Sequence, residues 1–137
     1  MVSNEPAGFA GDVSADGNIT FSLPQLRRVQ HEMQRFMLEY EFGLRELETK
    51  VAILRDEFQQ MHEYNPIEHV TSRVKSVDSI VDKVARRGLA ARGTVPDLEV
   101  IREHLTDIAG LRVTCSFVTD VYRLFDLLTE QEDVTVR

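Results

Sequence analysis

The hydrophobic rhythm of this chain changes at Ser76, and the change limits the folds open to it. From Ile67 to Lys75 the residues read as an extended segment, in which side chains alternate sides. Arg73 and Lys75 then point one way, and Val70, Ser72 and Val74 the other. From Val77 the spacing becomes helical: Val77, Ile80, Val81 and Val84 form an apolar stripe, while Ser79, Lys83 and Arg86 share another face. Ser76, between the two, is a favoured residue for capping a helix start. A strand that delivers two cations to a helix start is suited to an anion, because the free N–H groups of the first turn and the helix dipole both favour negative charge there.

Charge is concentrated around this junction. Residues 71–92 hold six cations (Arg73, Lys75, Lys83, Arg86, Arg87, Arg92) against Asp78 and Asp82, a net +4 in a chain whose total is −7. A positive island on an acidic protein fits a discrete anionic ligand better than a long nucleic acid, so DNA is not expected as a partner. The plain alternative is a solvated basic helix face. It leaves unexplained why two of the cations stand on the preceding strand.

The 137 residues are enough for one modest domain with its own core. No apolar run approaches the ~20 residues that cross a bilayer, and residues 1–20 lack the basic start and apolar stretch of a secretory signal, so no membrane is implied. A single cysteine, Cys115, excludes an internal disulfide framework and fits a reducing compartment, which points to the cytoplasm.

Residues 1–22 are rich in Gly, Asn, Asp, Ser and Ala and read as a disordered leader, with residues 23–137 as the domain. Pro24 suits the first turn of a helix. Leu26, Val29, Met33, Phe36 and Tyr40, then Leu44, Leu47, Val51, Leu54, Phe58 and Met61, step by three and four, predicting a long helical region within residues 23–64. The rhythm slips at Gly43, where a kink or a break into two helices is expected. The stripe packs on the sheet of its own domain or forms a coiled-coil seam; the second choice makes the protein a homo-oligomer. Asn65-Pro66 ends the helix. After the Ile67–Lys75 strand and the Val77–Gly88 helix, Leu89–Thr94 reads as a loop, and Pro96 opens a short helix to about Leu105. Leu111, Val113, Cys115 and Phe117 alternate with Arg112, Thr114 and Ser116, which predicts a strand buried on one face. Thr119 or Asp120 is expected to cap a helix with Val121, Leu124, Phe125 and Leu128 on its apolar face. Asp133–Arg137 reads as the start of a further strand, at which the sequence stops as a fragment does.

Two further residues are candidates for chemistry. Asp107, just ahead of a strand, is placed to hold Mg2+ that bridges phosphates, or is a plain turn aspartate. Arg112 can neutralise phosphate through its planar donor fork, or is a surface cation. His31, His62, His69 and His104 show no metal-ligand spacing, and there is no Gly-rich phosphate loop. Cys115 faces the core and reads as a small apolar residue.

Taken in order, Ile67–Lys75, the Ser79/Lys83/Arg86 face and Asp107-Ile-Ala-Gly-Leu-Arg112 resemble the synthetase domain of the RelA/SpoT family, in particular the small alarmone synthetases or GTP pyrophosphokinases, over roughly residues 36–137. The resemblance implies an α+β, nucleotidyltransferase-like fold: a mixed sheet flanked by helices. It implies ATP binding by Arg73, Lys75, Ser79, Lys83, Arg86 and Arg112, and Mg2+ at Asp107. The implied reaction moves the pyrophosphate of ATP to the 3′-hydroxyl of GDP or GTP, making the alarmones of the stringent response. In the family a guanosine-binding tyrosine loop and a catalytic glutamate follow the part matched here. The expectation is therefore a chain with the ATP half of the site, without a catalytic residue of its own and inactive alone. The competing expectation is a regulatory or structural remnant that associates with intact synthetase subunits through its helices.

Overall fold

A 39-residue helix, α1 (Leu23–Met61), runs through the region where the apolar stripe predicted it. Its start is fixed by a reciprocal cap: Gln25 N donates to Ser22 Oγ (3.3 Å) and Ser22 N donates to Gln25 Oε1 (2.8 Å). Pro24 sits in that first turn, where its missing N–H costs nothing. The expected break at Gly43 does not occur. A mid-helix glycine costs roughly 1 kcal/mol relative to alanine, and the buried flanks Phe36 and Leu44 hold the turns on both sides of it.

The computed structural model describes residues 9–90 and 94–137. After α1 come β4 (Ile67–Val74), α2 (Val77–Arg86), α3 (Leu98–His104), β6 (Ala109–Cys115) and α4 (Val118–Thr129). Three short strands, β1 (Phe9–Ala10), β2 (Asp12–Val13) and β3 (Ile19–Thr20), precede α1, and β5 (Thr94–Val95) lies between α2 and α3. The fold is α+β, with the strands in two-stranded pairings: β1 with β5, β2 with β3, β4 with β6. The first two are antiparallel. So is the third, since Lys75 N donates to Ile108 O at one end (2.7 Å) and Ser116 N to Pro66 O at the other (3.0 Å).

The chain divides into two compact units. The first, Met1–Tyr40 with Val74–Ile108, is built on Met33, Phe36, Ile80, Val84, Ile101, Leu105 and Ile108. Met33 and Phe36 come from the first part of α1, Ile80 and Val84 from α2, Ile101 from α3, and Leu105 and Ile108 from the segment between α3 and β6. The second, Glu41–Arg73 with Ala109–Arg137, is built on Val51, Ile67 and Leu124, with Leu54, Val70, Leu111, Val113, Cys115 and Leu128 against them. Ile67 and Val70 both reach this core although they are three apart, so the strand alternation slips by one between them, as at a β-bulge. Cys115 packs in this core as expected, and burial raises its thiol pKa.

Four sequence expectations need correction. The leader is not without structure throughout: Asp12–Val13 pairs with Ile19–Thr20 across a turn whose Gly17 has φ +75°, and Phe9–Ala10 pairs with Thr94–Val95. Residues 1–8 and 91–93, the latter including Arg92 and Gly93 of the expected loop, lie outside the described residues. The cap of α4 is Phe117, and Asp120 acts from inside the helix by accepting from Phe117 N (3.2 Å) and from the Tyr64 hydroxyl. Of the predicted apolar face of α4, Leu124 is buried but Val121 and Phe125 are about half exposed, because the helix turns Asp120 and Leu124 inward. Asp133–Arg137 is not a strand. A strand needs a neighbour for its ladder, and none of the described residues pairs with it. Lys50 instead holds the segment, donating to Gln131 Oε1 (2.8 Å) and Asp133 Oδ1 (3.1 Å).

Candidate functional site

In the first unit the site is built at the junction that the sequence singled out. Ser76 is the N-cap of α2, with φ −68° and ψ 154°, and its Oγ accepts from Ser79 N at 3.2 Å. The first helical bond, Ile80 N to Ser76 O (3.0 Å), follows from the same residue. One residue earlier, the Lys75 N–H is tied to the Ile108 carbonyl, which fixes Lys75 beside Asp107. Lys83 stands one turn after Ser79 on α2, so it reaches the same place from the helix side.

Both ammonium groups converge on one oxygen. Lys75 Nζ and Lys83 Nζ each donate to Asp107 Oδ2 at 2.8 Å. The lysine side chains are largely buried (14% and 19% exposed) and the aspartate is 40% exposed. Hydrogen bonds from Lys75 and then Lys83 hold the Asp107 carboxyl far below the usual carboxylate range, against the opposing effect of burial. The other oxygen, Asp107 Oδ1, is buried and has no hydrogen-bond partner among the described residues. Ser79 also belongs here: its Oγ lies 2.8 Å from Ser76 Oγ. Arg86 does not join this cluster; its Nε pairs with Asp82 (3.1 Å) on the exposed side of α2.

In the second unit, Arg73 and Arg112 meet in a cavity of about 490 Å³, lined by Thr71, Ser72 and Arg73 of β4 and by Gly110, Leu111 and Arg112 of β6. That volume is in the range of small-molecule sites. A Cβ placed on Gly110 would meet no atom within 4 Å, so the glycine leaves open space rather than relieving a clash.

Among the described residues no three His, Cys, Asp or Glu side chains gather as a metal cage. A Mg2+ ion does not need one, since it commonly takes one or two carboxylates with phosphate oxygens and water. The unpartnered Oδ1 gives Asp107 the spare acceptor that such a share requires. Of the seven residues proposed from sequence, the structure thus brings Lys75, Ser79, Lys83 and Asp107 to one junction and Arg73 and Arg112 to one cavity, with Arg86 on the outer face of α2. Sequence reasoning missed Thr71, Ser72, Gly110 and Leu111 as cavity walls, although Thr71 and Ser72 lie within two residues of Arg73 and the other two are within the Asp107–Arg112 run.

Residues 72–137, which contain all seven sequence-proposed side chains, match the region found in RelA/SpoT proteins, and the chain is similar to small alarmone synthetases. It is 38% identical over 114 residues to the GTP pyrophosphokinase YwaC of Bacillus subtilis (strain 168), a match covering 83% of this chain and 52% of that protein. Small alarmone synthetase 1 of B. subtilis has a similar structure: in its complex with its product pppGpp the TM-score is 0.64 at 35% identity, covering 77% of this chain and 50% of that one. Its complex with AMPCPP gives 0.63 at 34% identity, covering 78% and 54%. This chain therefore spans about half the length of the relatives it matches.

Proposed function

We propose that this chain supplies the ATP-binding part of a GTP pyrophosphokinase, which transfers pyrophosphate from ATP to the 3′-hydroxyl of GDP or GTP. The observation that carries the reading is the pair of lysines gathered on Asp107 at a capped helix start. Its relatives are named for this activity or were solved with an ATP analogue or with pppGpp.

In this reading Lys75 and Lys83 exchange Asp107 Oδ2 for phosphate oxygens of ATP, and Ser79 and the N–H groups at the start of α2 add donors. Arg73 and Arg112, in the second unit, are assigned to ATP by the family resemblance alone. Arg86 joins after leaving an exposed pair with Asp82, a pair of the kind worth little. Asp107, released from both lysines, would hold Mg2+, which neutralises charge on the transferring phosphates. Transfer of this type asks the protein chiefly for position and opposing charge, and these side chains supply both. The proposal concerns ATP binding only, since the chain spans about half the length of these relatives. The cytoplasm, where nucleotides are plentiful and a lone thiol stays reduced, is the matching compartment; among the described residues no helix is long and apolar enough to cross a membrane.

Calorimetry of the 137-residue protein with ATP and Mg2+ tests the reading directly. Saturable heat that disappears in Lys83→Ala supports it, and no heat with the wild type rejects it. A second reading, association with intact synthetase subunits, is favoured by the exposed Leu38, Phe42 and Ile53 on α1. Mass measurement during size-exclusion chromatography, alone and mixed with a complete synthetase, decides it by the presence or absence of a mixed or self-associated species.

A further inference from the structure

Ser76 makes two contacts with the same neighbour. Its Oγ accepts from Ser79 N at 3.2 Å, and it lies 2.8 Å from Ser79 Oγ. The first contact is the ordinary helix cap. The second is not required by a cap, and it joins Ser76 to the one hydroxyl that the proposed function assigns to ATP.

A serine hydroxyl has one hydrogen to give and two lone pairs to receive with. If Ser79 gave its hydrogen to Ser76, only lone pairs would face a bound phosphate, and these repel an anion. If Ser76 gives its hydrogen to Ser79 Oγ, the Ser79 hydrogen is left for the phosphate. An anion at the start of α2 selects the second arrangement, in which the two hydroxyls form a relay pointing outward. The backbone keeps Ser76 in place for this. Lys75 N is bonded to Ile108 O (2.7 Å) on one side of it, and Ile80 N donates to Ser76 O (3.0 Å) on the other.

We infer that Ser76 is a positioning residue for ATP: its hydroxyl donates to Ser79 Oγ and turns the Ser79 O–H toward the phosphates. This rests on the proposed function, and it adds a residue that reaches the nucleotide only through another. Glycine is nearly as good an N-cap as serine. Ser76→Gly therefore removes the relay while leaving α2 capped, and Ser76→Thr keeps both cap and relay.

The test is a double-mutant cycle read as the dissociation constant of ATP with Mg2+ by calorimetry, with thermal melts of every variant. Ser76→Gly is expected to weaken binding roughly three- to tenfold, the worth of one hydrogen bond, with a melting temperature close to that of the wild type. Ser79→Ala is expected to weaken binding similarly. The double variant should be no weaker than Ser79→Ala, and Ser76→Thr should bind as the wild type does. An equal loss from Ser76→Gly in the Ser79→Ala background overturns the inference, because the effect then comes from the cap. So does unchanged affinity in Ser76→Gly beside a clear loss in Ser79→Ala. Absence of heat in the wild type is the separate result that removes the proposed function, and this inference with it.

Discussion

The two units treat their cations in opposite ways. In the first, Lys75 and Lys83 are mostly buried and already share a carboxylate oxygen at 2.8 Å each. In the second, Arg73 and Arg112 face an open cavity and have no ion-pair partner among the described residues. Ammonium groups on flexible stems can be held by an internal anion and handed over to a ligand. Guanidinium groups on adjacent strands are positioned by the sheet and need no such placeholder. Asp107 thus keeps two buried cations satisfied when no phosphate is present, which matters because an unpaired buried charge is costly.

The largest expected effect breaks the buried side of this contrast. Lys83→Ala, or Lys75→Ala, should weaken ATP–Mg2+ binding by at least about tenfold, the scale of a charge-assisted hydrogen bond, measured by calorimetry. Filling the open side comes next. Gly110→Val puts its branches into the cavity and should reduce nucleotide affinity by roughly the same order or somewhat less. The melting temperature should hardly change, because a Cβ at Gly110 meets no atom within 4 Å.

Asp107→Asn sharpens the comparison by removing the placeholder. Affinity for metal-free ATP should rise several-fold, roughly one hydrogen bond's worth, and the gain in affinity on adding Mg2+ should shrink. The same variant tests the pH dependence. The Asp107 carboxyl has its pKa lowered in the folded chain, so its contribution to stability is present above the ordinary carboxylate pKa of about 4 and is lost as pH falls below it. The melting difference between wild type and Asp107→Asn should therefore narrow in melts run below about pH 4. Smallest of all, Arg86→Gln breaks only an exposed pair with Asp82 and should change stability by less than about 1 kcal/mol in denaturant titration.

The stripe from Met33 to Phe58 was legible because one helix face is buried along its length, so spacing and burial coincide. The Ser76 junction was legible for a different reason: period, cap and charge all change at one residue. Asp107 and Lys83 were legible as site residues, but not as partners, since 24 positions separate them and only the fold brings them to 2.8 Å. The β2–β3 hairpin was missed although Asp16-Gly17 is a strong turn signal, because a polar composition outweighed it. At Gly43 the helix is not broken: a local helix penalty yields to packing on both flanks. At α4, Asp120 looked like a cap by residue type, whereas its carboxylate receives Phe117 N and the Tyr64 hydroxyl from within the helix. Side-chain direction of this kind depends on a neighbour 56 positions away and has no local signature.

The exchange of Asp107 for phosphate is best followed at the lysines themselves. Nuclear magnetic resonance of the side-chain ammonium groups of Lys75 and Lys83 during titration with ATP and Mg2+ reports it. Both signals should move together and saturate at the dissociation constant that calorimetry gives. Signals that stay at their ligand-free positions while the nucleotide binds would show that these ammonium groups do not hold the phosphates.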